Sequence, residues 1–107
     1  MSKSLLIFLM VIPCSFGMDI HNLFNEANDL FISKKYKKSI ELYEKIINSG
    51  QENSIVFYNL GNAYYRSGDI GHAIWAYKHA NKFSPRDQDI IHNLKIAEAK
   101  KIDRINS

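Results

Sequence analysis

Shifted on itself by 34 residues, the chain meets its own pattern. Tyr43 falls on Tyr77, Ala27 on Gly61, Leu23 on Phe57, and Ser33-Lys34 on Ser67-Gly68. Self-similarity at a fixed period of a few tens of residues marks stacked supersecondary units, each burying against its neighbours a face it cannot bury alone. A chain of 107 residues has room for one domain and not for two independent cores. Hydrophobic residues make up 46% of it, ordinary for a globular protein and incompatible with disorder of the bulk. Five Gly and two Pro are too few for a turn-rich sandwich or barrel. An all-α fold is what remains.

The spacing inside the second unit describes a pair of helices. Phe57, Leu60 and Tyr64 recur three or four residues apart, the stripe of an amphipathic helix. Gly61 on that stripe lets a neighbouring helix come close. Ser67-Gly68-Asp69 breaks the helix, with Gly suited to a left-handed turn and Asp69 able to cap the next helix. Ala73, Tyr77 and Ala80 share one face of the second helix, and Ser84-Pro85 ends it. Pro85 fits the first turn of a further helix. These signals predict helices over 19–33, 36–49, 53–67, 70–83 and 86–104. The first four form two antiparallel hairpins. The fifth lays Ile90, Ile91, Leu94 and Ala97 on the second hairpin and turns Lys95, Glu98, Lys100 and Lys101 to water.

Residues 54–87 resemble the tetratricopeptide repeat (TPR) at nearly every diagnostic position: Phe57, Leu60, Gly61, Tyr64, Ala73, Tyr77, Ala80 and Pro85. Residues 18–53 read as a degenerate copy. Leu23, Ala27, Leu30, Ser39 and Tyr43 fit, whereas Glu26, Ile46 and Gln51 stand where the family has Leu, Ala and Pro. The resemblance implies a TPR-type helical-hairpin solenoid of two repeats, with 88–107 as capping helix and tail. It also implies a concave face, lined by the first helix of each pair, that binds extended peptides or a partner's helix. In the repeat register that face carries His21, Phe24, Asn28, Phe31 and Ile32, then Ile55, Tyr58, Asn62, Tyr65 and Arg66, and finally Asp89, His92 and Ile96. Phe24, Asn28, Phe31, Tyr58, Asn62, Tyr65 and Arg66 form the candidate partner-binding set: rings bury apolar side chains while amides pair with an extended backbone. Core packing is the alternative for Phe24 and Phe31.

The TPR domains that grip chaperone C-terminal carboxylates are matched at Asn28 and Asn62. Their cationic positions hold Phe24, Asp89 and Asn93 here, and an aspartate repels a carboxylate, so that subclass is excluded. A narrower resemblance covers roughly 57–97. Tyr58-Asn59-Leu60-Gly61-Asn62-Ala63-Tyr64-Tyr65, Gly68-Asp69-Ile70-Gly71, Ala73-Ile74 and Ser84-Pro85-Arg86-Asp87 look like the exported TPR protein of bacterial aerotolerance (Bat) operons. This implies an envelope assembly role beside von Willebrand-type partner proteins.

Residues 1–17 have the three parts of a cleaved secretory signal: Lys3, an apolar run from Leu5 to Pro13, and Ser15 and Gly17 as the small residues before a cut at Met18. The run is too short for a permanent span, which needs roughly 20 residues. Lipidation at Cys14 is the rival, although Val11-Ile12-Pro13 fits that cut poorly. Cleavage leaves 90 residues without cysteine, suited to an oxidising envelope compartment. The chain is expected to be periplasmic or envelope-associated, with no stable membrane span once mature.

Chemistry has few candidates. A single Cys excludes a disulfide within the chain and a multi-cysteine zinc site. No two of His21, His72, His79 and His92 stand three or four apart, the spacing that puts two imidazoles on one helical turn. Asp29, Glu41, Glu44 and Asp69 read as a solvated face, and no metal, cofactor or catalytic residue is expected. A net charge of +3 is too weak and too interspersed to argue for nucleic acid or anionic membrane as the main partner. Lys34, Lys35, Lys37 and Lys38 crowd one turn around Tyr36, which is expected to pack inward, so a solvated loop and helix start is the reading and a phosphate or lipid-headgroup contact the alternative. The expected function is a non-catalytic adaptor for a protein or peptide. The alternative is a self-associating assembly unit, a homo-oligomer built through the last helix, where Ile102 and Ile105 extend the apolar character.

Overall fold

The computed structural model describes residues 19–106. The signal sequence expected over 1–17, its cut before Met18 and the alternative at Cys14 lie outside the described residues. Within them the chain is all-helical, without strands: α1 Ile20–Ile32, α2 Tyr36–Asn48, α3 Ser54–Ser67, α4 Ile70–Phe83 and α5 Gln88–Asn106. Each expected helix is present. The largest displacements are at α5, which runs Gln88–Asn106 rather than 86–104. Pro85 sits in the turn ahead of it. Asp87 is the capping residue instead, its carboxylate accepting the backbone N–H groups of Asp89 (2.9 Å) and Ile90 (3.3 Å).

That cap belongs to a series. Asp19 accepts from the N–H groups of His21 and Asn22 at the head of α1, and Asn53 from that of Val56 at the head of α3. Asp19, Asn53 and Asp87 therefore repeat at the same interval as the apolar pattern, and α1, α3 and α5 start in one register. Asp69 caps α4 through the N–H of His72. Its counterpart Lys35 leaves α2 without a side-chain cap. Lys34, just before it, holds φ at 63°, where the second unit has Gly68 at 93°. A side chain in left-handed backbone costs about 1–2 kcal/mol.

Each helix packs on the next in sequence, and α1 also reaches α3. Contacts across the turns show that both hairpins are antiparallel. The Ser39 hydroxyl donates to the Ala27 carbonyl at 2.8 Å and Phe24 packs edge-on to Tyr43. In the second hairpin Phe57 lies against Phe83 and Tyr64 against His72. The core runs through Tyr43, Ile46, Leu60, Tyr77 and Ile90, all buried. Gly61 makes the tightest crossing: a Cβ there would lie 2.5 Å from Cδ1 of the Tyr77 ring.

Burial also explains where the first unit departs from the second. Val56, Leu60 and Ala63 on α3 are buried. Their counterparts Asn22, Glu26 and Asp29 are exposed on the outer side of α1. At the other edge Lys95 takes the place of Gly61 and is exposed, which removes the close approach that a helix like α4 requires. Among the described residues no helix is long and apolar enough to cross a membrane.

Two substitutions separate close packing from helix propensity. Gly61→Ala should cost about 1–2 kcal/mol in urea unfolding, because overpacking against a buried ring outweighs the gain in propensity. Gly71→Ala, where a Cβ meets open space, should be neutral or about 0.5 kcal/mol stabilising. The first turn offers the converse. Lys34→Gly with Lys35→Asp gives it the chemistry of Gly68-Asp69 and should add about 1–2 kcal/mol, read as a higher urea midpoint at unchanged slope.

Candidate binding groove

Two part-buried polar triads tie the helices together. In the first, Asn28 Oδ1 accepts from the Tyr43 hydroxyl and from Asn59 Nδ2, the latter at 3.2 Å, joining α1, α2 and α3. In the second, Asn62 Oδ1 accepts from the Tyr77 hydroxyl at 2.5 Å and from Asn93 Nδ2 at 3.0 Å, joining α3, α4 and α5. Every member of the second triad lies 34 residues after its counterpart in the first. Burial pushes the Tyr43 and Tyr77 phenols above their ordinary value, since a phenolate inside the bundle would lose its hydration; for Tyr77 the neighbouring Tyr58 adds to the shift.

The triads use the carbonyl oxygens of Asn28 and Asn62. Their Nδ2 groups have no hydrogen-bond partner among the described residues, and both side chains line open space. Asn28, Phe31, Ile32, Tyr43, Asn59 and Asn62 bound a pocket of about 280 Å³. Phe31, Asn62, Tyr65, Arg66, Tyr77, Asn93 and Ile96 bound a second of about 260 Å³. Phe31 and Asn62 belong to both, so the two form one groove running from α1 across α3 to α5. Among the described residues no carboxylate lines it. Its charged member is Arg66, whose guanidinium lies 5.8 Å from the Phe31 ring centroid and 5.4 Å from that of Tyr36. Phe31 and Tyr36 themselves meet edge to face at 5.4 Å. The rings hold the cation by cation–π attraction at the lining of the second pocket.

Five residues of the candidate set thus share one groove: Asn28, Phe31, Asn62, Tyr65 and Arg66. Phe24 and Tyr58 sit elsewhere. Phe24 packs on Tyr43 and lines a separate cavity of about 410 Å³ with Ile20, His21, Ile46 and Ile55. Tyr58 leans on Tyr77, and its hydroxyl accepts from Asn93 Nδ2 at 3.0 Å, so it braces the second triad. Of the rest of the register, Ile32 and Ile96 line the groove, whereas Asp89 and His92 line none of these three cavities. Asn59 and Asn93, absent from the candidate set, hold the groove together. Their signal was the repeat of a polar residue at the same interval on an otherwise apolar stripe.

Glu44 also departs from expectation. It is not simply solvated: its carboxylate accepts the Tyr64 hydroxyl, and burial together with that anion raises the Tyr64 phenol. Tyr36 packs inward as expected, half-buried amid its lysines. Among the described residues no group of three or more His, Cys, Asp or Glu side chains is placed to hold a metal ion. Compared with known proteins, the chain matches no family model and no curated protein.

The buried phenols set a pH dependence. The folded state holds the protons of Tyr43 and Tyr77 more tightly than the unfolded chain, so the stability they contribute is whole below the ordinary tyrosine value of 10.0 and falls as pH rises through it. The urea midpoint should be flat from neutrality to about pH 9 and drop above 10. Tyr77→Phe should lower the plateau by about 0.5–1.5 kcal/mol, because Asn62 Oδ1 loses one of its two donors and keeps Asn93 Nδ2, and should make the alkaline drop shallower.

Proposed function

We propose that the chain is an exported, non-catalytic adaptor of the tetratricopeptide type that captures an extended peptide segment of a partner protein in the groove between α1, α3 and α5. One observation carries the reading. The two groove asparagines have their oxygens tied down by the repeated triads, which leaves two oriented amide donors on one wall without an acceptor among the described residues. An extended peptide offers carbonyl oxygens to such donors, while Phe31, Tyr65 and Ile96 supply apolar contact. Arg66 favours a segment with an acidic side chain near that end. The secretory pattern of 1–17 supports an envelope location, and the likeness of 57–97 to the aerotolerance protein supports a place in an assembly of that kind. A second reading, self-association through the last helix, is favoured by Ile102 and Ile105, which are 56% and 72% exposed.

The triads suggest a variant that removes binding without removing structure. Asn28→Asp with Asn62→Asp keeps both acceptor oxygens for the tyrosines and for Asn59 and Asn93, and replaces the groove donors with anions. Tagged wild type and variant are used to capture partners from solubilised cell envelopes. A protein retained by the wild type and lost at least tenfold by the variant, with equal helical circular dichroism, is the expected result. Retention by both would sink the groove reading, and recovery of the bait chain alone would favour self-association.

A further inference from the structure

The outer face of α4 carries a feature that the groove does not use. Trp75, His79 and Phe83 stand four residues apart and cluster over the buried ring of Phe57. His79 stacks on it at 5.0 Å, Phe83 at 6.0 Å, and Trp75 meets it edge-on at 5.9 Å. Phe57 is buried, yet Trp75 is 47% and Phe83 50% exposed. At about 100° per residue, Tyr77, whose hydroxyl reaches the groove, lies about 200° round the helix from Trp75. The aromatic plate is therefore on the far side of α4 from the groove.

The first unit serves as an internal control. Trp75, Lys78, His79, Lys82 and Phe83 correspond there to Glu41, Glu44, Lys45, Asn48 and Ser49. All five carry polar side chains, so a helix of this hairpin type does not require aromatic residues at these positions. Charge differs in the same place. Lys78 and Lys82 are exposed on the α4 face, and α4 has no Asp or Glu along its whole length. The bordering carboxylates Glu44 and Asp69 keep their charge but are turned to partners within the fold: Glu44 accepts the Tyr64 hydroxyl, and Asp69 meets His72 Nδ1 at 2.8 Å and caps α4.

We propose that this face of α4 docks on an anionic lipid surface. Exposed Trp and Phe side chains on a helix that lies flat enter the headgroup boundary, while lysines beside them reach the anionic headgroups. Peripheral attachment of this kind needs no spanning helix and leaves the groove turned away from the bilayer.

Trp75 is the chain's single tryptophan, so its emission reports directly on this face. The full chain is titrated with vesicles of phosphatidylethanolamine and phosphatidylglycerol, then with phosphatidylcholine alone, in low and high salt. Anionic vesicles should shift the emission to the blue and co-sediment the protein, and high salt should reverse both. Lys78→Gln with Lys82→Gln should lower the partition coefficient about thirtyfold. Phe83→Ser should weaken it as well, with Trp75 retained as reporter. An unshifted emission, an equal shift with phosphatidylcholine, or wild-type partition of both variants would overturn the proposal. A shift with poly-glutamate and none with vesicles would also overturn it and assign the face to an acidic protein segment.

Discussion

The fold depends on an asparagine oxygen held between two donors. An apolar stripe makes two helices pack, but it tolerates a slide or a small rotation at little cost. A part-buried amide oxygen paired with a tyrosine hydroxyl on one side and an asparagine amide on the other does not. Each bond is worth about 1 kcal/mol net, while each group left unpaired costs about 1–3 kcal/mol, so a slipped register loses more than it gains. Asn28 does this for α1, α2 and α3, and Asn62 for α3, α4 and α5. Helix α3 belongs to both triads, supplying the donor Asn59 to one and the acceptor Asn62 to the other. Its three-residue offset between those side chains sets how one triad sits relative to the next.

Range decides how much of the molecule is legible in the chain. Helix ends and turns rest on signals within a few residues, such as Ser67-Gly68-Asp69, and they emerge nearly unchanged in the structure. The groove rests on which side chains cross between helices, and that is legible only in part. Asn28, Asn62 and Arg66 fall where the repeat register puts them. Phe24 and Tyr58 share that register, yet Phe24 is drawn onto Tyr43 and Tyr58 is claimed by Asn93. A register gives the face of a helix; the neighbour that competes for a side chain is a matter of three dimensions. The triads were hidden for a further reason. A lone Asn in a helix reads as a solvated residue, and only the joint recurrence of two asparagines and a tyrosine separates them from that background.

The departures of the first unit from the second are not decay spread at random. Glu26 stands where the second unit has Leu60, on a face of α1 that is exposed rather than covered by a preceding helix. Lys95 stands where the second unit has Gly61, and a long charged side chain there blocks the close crossing that Tyr77 makes onto Gly61. Both changes put polar groups on faces that no helix covers among the described residues. The same comparison isolates Trp75 and Phe83, which no edge effect explains, since Glu41 and Ser49 occupy equivalent positions on α2.

Local cost is also distributed unevenly, and that bears on binding. The second hairpin has Gly68 in left-handed backbone and Asp69 as a cap, whereas the first has Lys34 and Lys35, one strained and one uncapped. Lys37 and Lys38 then place further positive charge at the positive end of α2. In a stack where each unit contacts only its neighbours, such costs are not shared across the molecule. The α1–α2 hairpin therefore carries local costs that the α3–α4 hairpin does not. Asn28 and Phe31, at one end of the groove, lie on that hairpin, while Arg66, Tyr65 and Ile96 lie on the better-capped remainder. A segment seated along the whole groove would bind only the folded first hairpin, so its affinity and the stability of that hairpin are thermodynamically linked.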